Sequence, residues 1–128
     1  MKRRVLAGMV LAALLVAGGL AVRLNRKSIA CKQRGEAYAA RVDELSRDAH
    51  AQLKIGTKKD TLIRFFAEHG IPIEFYQDGT ASGTIYTTGC APLGCGTDAA
   101  LLGLRVDVDA TGTVISEPQV GAMYTNCV

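Results

Sequence analysis

Residues 102–109 read LGLRVDVD and give the clearest strand pattern of the chain, because apolar side chains alternate with other residues. Alternation with a period of two is typical of a β-strand that buries one face. A turn sequence at residues 110–112 is followed by VIS at residues 114–116, which predicts a second strand. We therefore expect an antiparallel hairpin that ends before Pro118.

Two amphipathic helices are predicted upstream of this hairpin. In residues 29–53 the apolar side chains recur at spacings of four and three, as on one side of a helix: Tyr38, Val42, Leu45, Ala49 and Leu53. The second helix is predicted to begin after Thr57, whose hydroxyl can cap it, and to end at Gly70 before Pro72. Each helix has one apolar side, which we expect to cover a sheet.

Further strands are predicted on both sides of this region. Residues 73–76 and 84–88 are rich in β-branched and aromatic residues and flank a turn sequence at residues 78–83. A short strand at residues 122–125 is the last predicted element. The expected fold is α+β, with an N-terminal transmembrane helix followed by two helices packed on a three- to four-stranded antiparallel sheet.

The transmembrane helix is predicted from residues 5–22, an uncharged apolar run that includes Val5, Leu14 and Val22. A helix of this length reaches about 27 Å, close to the roughly 30 Å hydrocarbon core of a bilayer. Residues 1–27 are interpreted as a signal anchor, with a cleaved signal peptide as the alternative. Residues 28–128 then form one small disulfide-stapled α+β domain.

All four cysteines follow the apolar run, and an even number is typical of disulfides in an oxidising compartment. Four cysteines allow three connectivities. The short spacing of Cys90 and Cys95 favours a disulfide loop between them, which leaves Cys31 and Cys127 as the second pair. The expected location is the bacterial inner membrane, single-pass, with the C-terminal domain in the periplasm, or secretion to the periplasm if the leader is cleaved.

The charge distribution excludes a basic nucleic-acid binder. Residues 28–128 carry nine basic and twelve acidic side chains, a net charge of −3. In residues 65–128, seven acidic side chains stand against Arg105 alone. We predict that this acidic half meets a basic partner, with an ordinary solvated surface as the alternative. The candidate partner-binding residues are Asp98, Asp107, Asp109 and Glu117.

The sequence assigns no catalytic, cofactor-binding or metal-binding residue. It has no nucleophile motif of the Gly-x-Ser-x-Gly type and no phosphate-cradling glycine motif. The cysteine and histidine spacings do not fit a zinc site. Residues 107–112 imitate the start of a calcium loop, but position twelve is Pro118 rather than the required glutamate. We therefore expect no cofactor and no small-molecule substrate.

Three segments carry a family pattern: LKIGTKKDTL at residues 53–62, GIP at residues 70–72 and VDVDATGTV at residues 106–114. The pattern resembles the small envelope proteins of the SmpA/OmlA type, which are the BamE lipoproteins of outer-membrane assembly. It also resembles the wider set of domains that share a fold with β-lactamase inhibitor protein. The resemblance implies a non-enzymatic envelope module that binds other proteins.

These features predict a membrane-anchored extracytoplasmic domain that binds another envelope protein without catalysis. Its role would be that of an envelope assembly, inhibitor or immunity-like accessory factor. The membrane would be contacted through the N-terminal helix, and no nucleic acid is expected as a partner. The alternative is a redox or ligand-sensing accessory domain that uses the loop between Cys90 and Cys95.

Overall fold

Two helices and one four-stranded sheet make up the fold. The computed structural model describes the backbone of residues 2–127 and the side chains of residues 8–9 and 12–127. The elements are α1 (Lys2–Gln52), α2 (Lys59–Glu68), β1 (Glu74–Phe75), β2 (Thr80–Thr88), β3 (Ala99–Asp107) and β4 (Gln119–Tyr124). The strands pair antiparallel in the order β1-β2-β3-β4. The chain divides into two units, Met1–Gln33 and Arg34–Val128.

The first unit consists of the N-terminal part of α1. The prediction of a transmembrane helix in this part is wrong. Leu14 and Val22 lie on α1 with exposed side chains, whereas the side chain of Val5 lies outside the described residues. In the part of the chain that the structure describes, no helix has the length and apolar character required to cross a membrane. A span needs about 20 consecutive, predominantly apolar residues. The predicted single-pass inner-membrane location is corrected with it.

The predicted apolar side of α1 is confirmed in the second unit. Four of its five residues are buried and Val42 packs against the core at partial exposure; the buried ones are Tyr38, Leu45, Ala49 and Leu53. In α2, Leu62, Phe65 and Phe66 are buried. Together these side chains cover one face of the sheet, which places the core between the helices and the strands.

The start of α2 differs from the prediction, although its end does not. Lys58 occupies the N-cap position without a side-chain hydrogen bond, and the Thr57 hydroxyl donates instead to the carbonyl of Gln52 at 3.4 Å. Thr57 therefore closes the turn after α1 rather than capping α2. At the other end Gly70 has a φ of 66°, a left-handed conformation that glycine adopts without steric cost.

The alternation in residues 102–109 is confirmed, because Leu102, Leu104 and Val106 of β3 are buried while Arg105 is exposed. The predicted hairpin with residues 114–116 is confirmed only next to its turn, where Val114 forms an isolated antiparallel bridge with Val108 and the N–H of Ile115 donates to the carbonyl of Asp107 at 2.9 Å. The rest of β3 pairs with β2 and β4 instead.

Val114 makes its backbone hydrogen bonds to the loop between the two helices. Its N–H donates to the carbonyl of Thr57 at 2.9 Å, and its carbonyl accepts from Gly56 at 2.8 Å. These bonds tie the segment to the loop between the helices.

The turn between β1 and β2 lies earlier in the chain than predicted. Residues 80–83, predicted as part of the turn, belong to β2, and the turn is formed by residues 76–79.

Candidate protein-binding face

The sheet has a second face, opposite the one that α2 and residues 34–52 of α1 cover. Side chains alternate between the two faces of a strand, so the neighbours of the buried residues of β3 point away from the helices. The register places Tyr86 opposite Leu101 and Leu101 opposite Met123, on three adjacent strands. We call Tyr86, Leu101 and Met123 the apolar row. Tyr86 is 82% exposed and Met123 is 61% exposed, so the row forms an apolar strip open to solvent.

A shallow depression runs beside the apolar row. The next register row consists of Thr84, Gly103 and Gly121. Because two of these residues have no side chain, the sheet surface is open here, and a hollow of about 370 Å³ lies over it. A flat strip with a neighbouring depression can receive a projecting side chain from another molecule.

The far side of the depression is polar. Arg105 is the cation there, and its Nη2 donates to the Thr80 hydroxyl at 3.1 Å and lies 3.9 Å from Asp107 Oδ1. Glu74 is exposed at the sheet edge and accepts a hydrogen bond of 2.6 Å from the Tyr76 hydroxyl. That bond to a carboxylate raises the pKa of Tyr76. With one cation between two acids, this border of the face is mildly acidic.

Residues 90–95, which we call the cysteine loop, lie between β2 and β3 at the end of the sheet nearest the apolar row. The N–H of Cys95 donates to the carbonyl of Pro92 at 3.2 Å, and Gly94 has a φ of 104°, which closes a tight turn. Leu93 sits at the tip of this turn with its side chain fully exposed, at 106%. A fully exposed leucine on a constrained turn is suited to insertion into a partner's apolar hollow.

Asp98 holds the cysteine loop in place. Its Oδ1 accepts from the N–H of Ala91 at 3.0 Å, and its Oδ2 accepts from Nη2 of Arg34 at 2.8 Å. The Ala91 N–H and, after it, the Arg34 guanidinium lower the pKa of this carboxyl. The loop is also tied to β4, because the N–H of Cys90 donates to the Tyr124 hydroxyl at 3.2 Å. These bonds order the loop before any partner arrives, which reduces the entropy cost of binding.

The cysteines pair differently from the prediction. Cys95 is bonded to Cys127, so the expected disulfides between Cys90 and Cys95 and between Cys31 and Cys127 are both wrong. Cys95 and Cys127 oppose each other as an antiparallel bridge, and the N–H of Gly96 donates to the carbonyl of Asn126 beside it. Cys31 and Cys90 are disulfide-bonded too, so no cysteine of the described chain is a free thiol.

The structure does not bring the predicted acidic residues together. Asp98 precedes β3 and Asp107 is its last residue, so the two lie about 30 Å apart along nine extended residues. Asp109 bonds to its own turn, where the Thr111 hydroxyl at 2.6 Å and the N–H of Thr113 at 2.9 Å lower the pKa of its carboxyl. Glu117 lies beside another hollow near the end of α1. Partner binding by these four residues stays a prediction, and they form no common patch.

The sequence pattern does not predict the apolar row. It places Met123 in a short final strand, and Leu101 precedes the strand predicted from residue 102 onward. The single available signal was the exposed half of the alternation in β3, which identifies outward positions but not their neighbours on other strands.

Acid should weaken the anchoring of the cysteine loop. Because the folded state lowers the pKa of Asp98, its carboxylate stabilises the fold above about pH 4, the unfolded value, and this contribution disappears as the pH falls through the lower folded value. We expect Asp98→Asn to lower the unfolding free energy at pH 7 and to have a smaller effect at pH 2.5. Urea denaturation at both pH values measures this.

The matched control for that prediction is Asp43→Asn, which removes an exposed carboxylate from α1. The control should not reproduce the pH-dependent difference. Equal effects of the two variants at pH 7 would contradict the anchoring role of Asp98.

Among the described residues, no group of three or more His, Cys, Asp or Glu side chains could hold a metal ion. Comparison of the chain with protein-family models, with curated proteins and with solved structures finds no match. The resemblance to the SmpA/OmlA type therefore stays a prediction, and the site has to be interpreted from its own geometry.

Proposed function

We propose that this chain is an extracytoplasmic protein-binding domain that acts without catalysis, as an assembly, inhibitor or immunity-like factor. The observation that carries the proposal is the uncovered sheet face, on which the apolar row lies at the same end as the cysteine loop with Leu93 at its tip. Exposed aromatic and aliphatic side chains on rigid elements are typical anchors of protein interfaces. Oxidised cysteines support a location outside the reducing cytosol.

The chemistry of the partner follows from the charges around the face. Arg105 is already engaged by Thr80 and Asp107, while Glu74 at the sheet edge faces solvent. A partner with an apolar projection and basic side chains around it would therefore match the surface in shape and charge. Because these charges are exposed, we expect the association rate to fall as salt is added.

Site-specific crosslinking in cells tests the proposal. A photo-crosslinking amino acid at position 86 should capture the partner, whereas the same group at Ile63, on α2, should not. With the identified partner purified, we expect Tyr86→Ala and Leu93→Ala each to weaken binding at least tenfold, because interface anchors of this type contribute about 2 kcal/mol. Isothermal titration calorimetry measures the affinities.

The control variant is Ile55→Ala, which removes an exposed apolar side chain from the loop after α1. It should bind the partner as the unchanged chain does. Binding that is unaffected by both Tyr86→Ala and Leu93→Ala would overturn the assignment of this face.

A further inference from the structure

Strand β4 is an open edge of the sheet. It pairs with β3 on one side, and the strand order places no strand on the other. The N–H of Thr125 donates to the carbonyl of Ala99, which sets the alternation of hydrogen-bonding positions along the strand. The N–H and C=O groups of Val120, Ala122 and Tyr124 therefore point outward. Within residues 2–127, the backbone bonds outside the sheet include none from these N–H groups.

This edge lacks the features that usually prevent strand pairing. Natural edge strands are protected by charged side chains, prolines, bulges or a covering segment. The six residues of β4 read QVGAMY, with no charge and no proline, and their register with β3 has no bulge. Ala122 is exposed even though it lies on the helix-facing side. The edge is thus available to another extended strand.

We propose that β4 pairs antiparallel with β4 of a second copy of this chain, about a two-fold axis at Ala122. In this alignment Ala122 faces the partner's Ala122, and Val120 faces the partner's Tyr124. All three outward-pointing positions are used, which gives about six backbone hydrogen bonds. An alignment about Gly121 would set Tyr124 against the partner's Pro118, which has no N–H to donate.

Side-chain size supports the same axis. It places Met123 directly opposite the partner's Gly121, at a non-hydrogen-bonded position where cross-strand side chains approach most closely. A Cβ built on Gly121 would meet no atom within 4 Å, so the partner's Met123 has free space there. Each copy supplies one projecting side chain and one gap, as a two-fold interface requires.

Charge also favours a second copy. A two-fold axis brings like surfaces together, so a charged edge would repel itself, whereas β4 is uncharged along its whole length. Just beyond the strand, Glu117 would face the partner's Cys127 rather than another acid. The pairing would join two four-stranded sheets into one continuous sheet and set the two binding faces side by side. This inference does not depend on the proposed function.

Sedimentation velocity of the full chain at about 1–200 µM tests the inference, because a small edge interface is expected to bind in this range. We expect a monomer–dimer equilibrium. Ala122→Lys and Ala122→Glu should each weaken dimerisation at least tenfold, because the axis sets like charges face to face. A mixture of the two variants should dimerise again, and a tag on one variant allows capture of the other to be measured.

The control is Ile115→Lys, which places a charge at an exposed position outside β4 and should leave dimerisation unchanged. Recovery in the mixture cannot come from misfolded chains, so it separates pairing from loss of fold. A wild-type chain that stays monomeric throughout the range, single variants that dimerise normally, or a mixture that stays monomeric would each overturn the inference. None of these outcomes involves the partner of the proposed function.

Discussion

Replacing both Cys95 and Cys127 with serine should lower the unfolding free energy by about 3–4 kcal/mol. The disulfide closes a loop with a sequence separation of 32, and the chain-entropy model assigns about that much to such a loop. The bond ties the end of the chain to the cysteine loop, so we also expect weaker protection of the loop amides from hydrogen exchange. Urea denaturation of the variant and of the unchanged chain measures the difference.

Leu93→Ala is the control for this experiment. The side chain lies in the same loop but is fully exposed, so its removal should change the unfolding free energy by less than about 0.5 kcal/mol. Mass spectrometry must show that Cys31 and Cys90 remain oxidised in the double variant. A loss below about 1 kcal/mol would contradict the structural role of this disulfide.

Gly83→Ala should destabilise the fold by about 3 kcal/mol, at the upper end of the usual cost of overpacking. Gly83 is a buried residue of β2, and a Cβ there would collide with the carbonyl oxygen of Pro72 and lie 2.7 Å from Cγ2 of Ile71. Ile71 is a core residue whose N–H donates to the carbonyl of Phe66. The added methyl group must therefore displace either β2 or the segment that follows α2.

Gly103→Ala provides the matched control on the neighbouring strand. The nearest atom to a Cβ at Gly103 is the Thr84 hydroxyl at 3.5 Å, an ordinary van der Waals contact. We expect a change within about 0.5 kcal/mol. Thermal and chemical denaturation of both variants measure the contrast, and similar values for Gly83→Ala and Gly103→Ala would show that the close approach at Pro72 is relieved without cost.

Local pattern was sufficient where a residue's environment depends on its own element. The spacing of apolar side chains in α1 and the alternation of Leu102, Leu104 and Val106 in β3 both identified the residues that face the core. Those periods reflect the geometry of a helix and of a strand, which is the same whatever the element packs against. Gly70 was identified as a helix end for the same reason, since its φ is a local property.

Local pattern failed where distant backbone groups compete for the same partners. Val114 follows a turn sequence and an alternating strand, yet its backbone bonds go to Gly56 and Thr57 rather than along β3. The predicted transmembrane helix at residues 5–22 is a separate failure, because length and the absence of charge are its only support.

The sequence by itself determined the apolar sides of the two helices, the central strand, the negative net charge of residues 28–128 and the oxidised state of the cysteines. Only the tertiary structure decided that Cys95 bonds to Cys127 and that Tyr86, Leu101 and Met123 form one row. The physical reason is that neighbours across a sheet depend on strand order and register, which are set by packing of the whole domain. A period-two pattern assigns a side chain to a face but not to a neighbour.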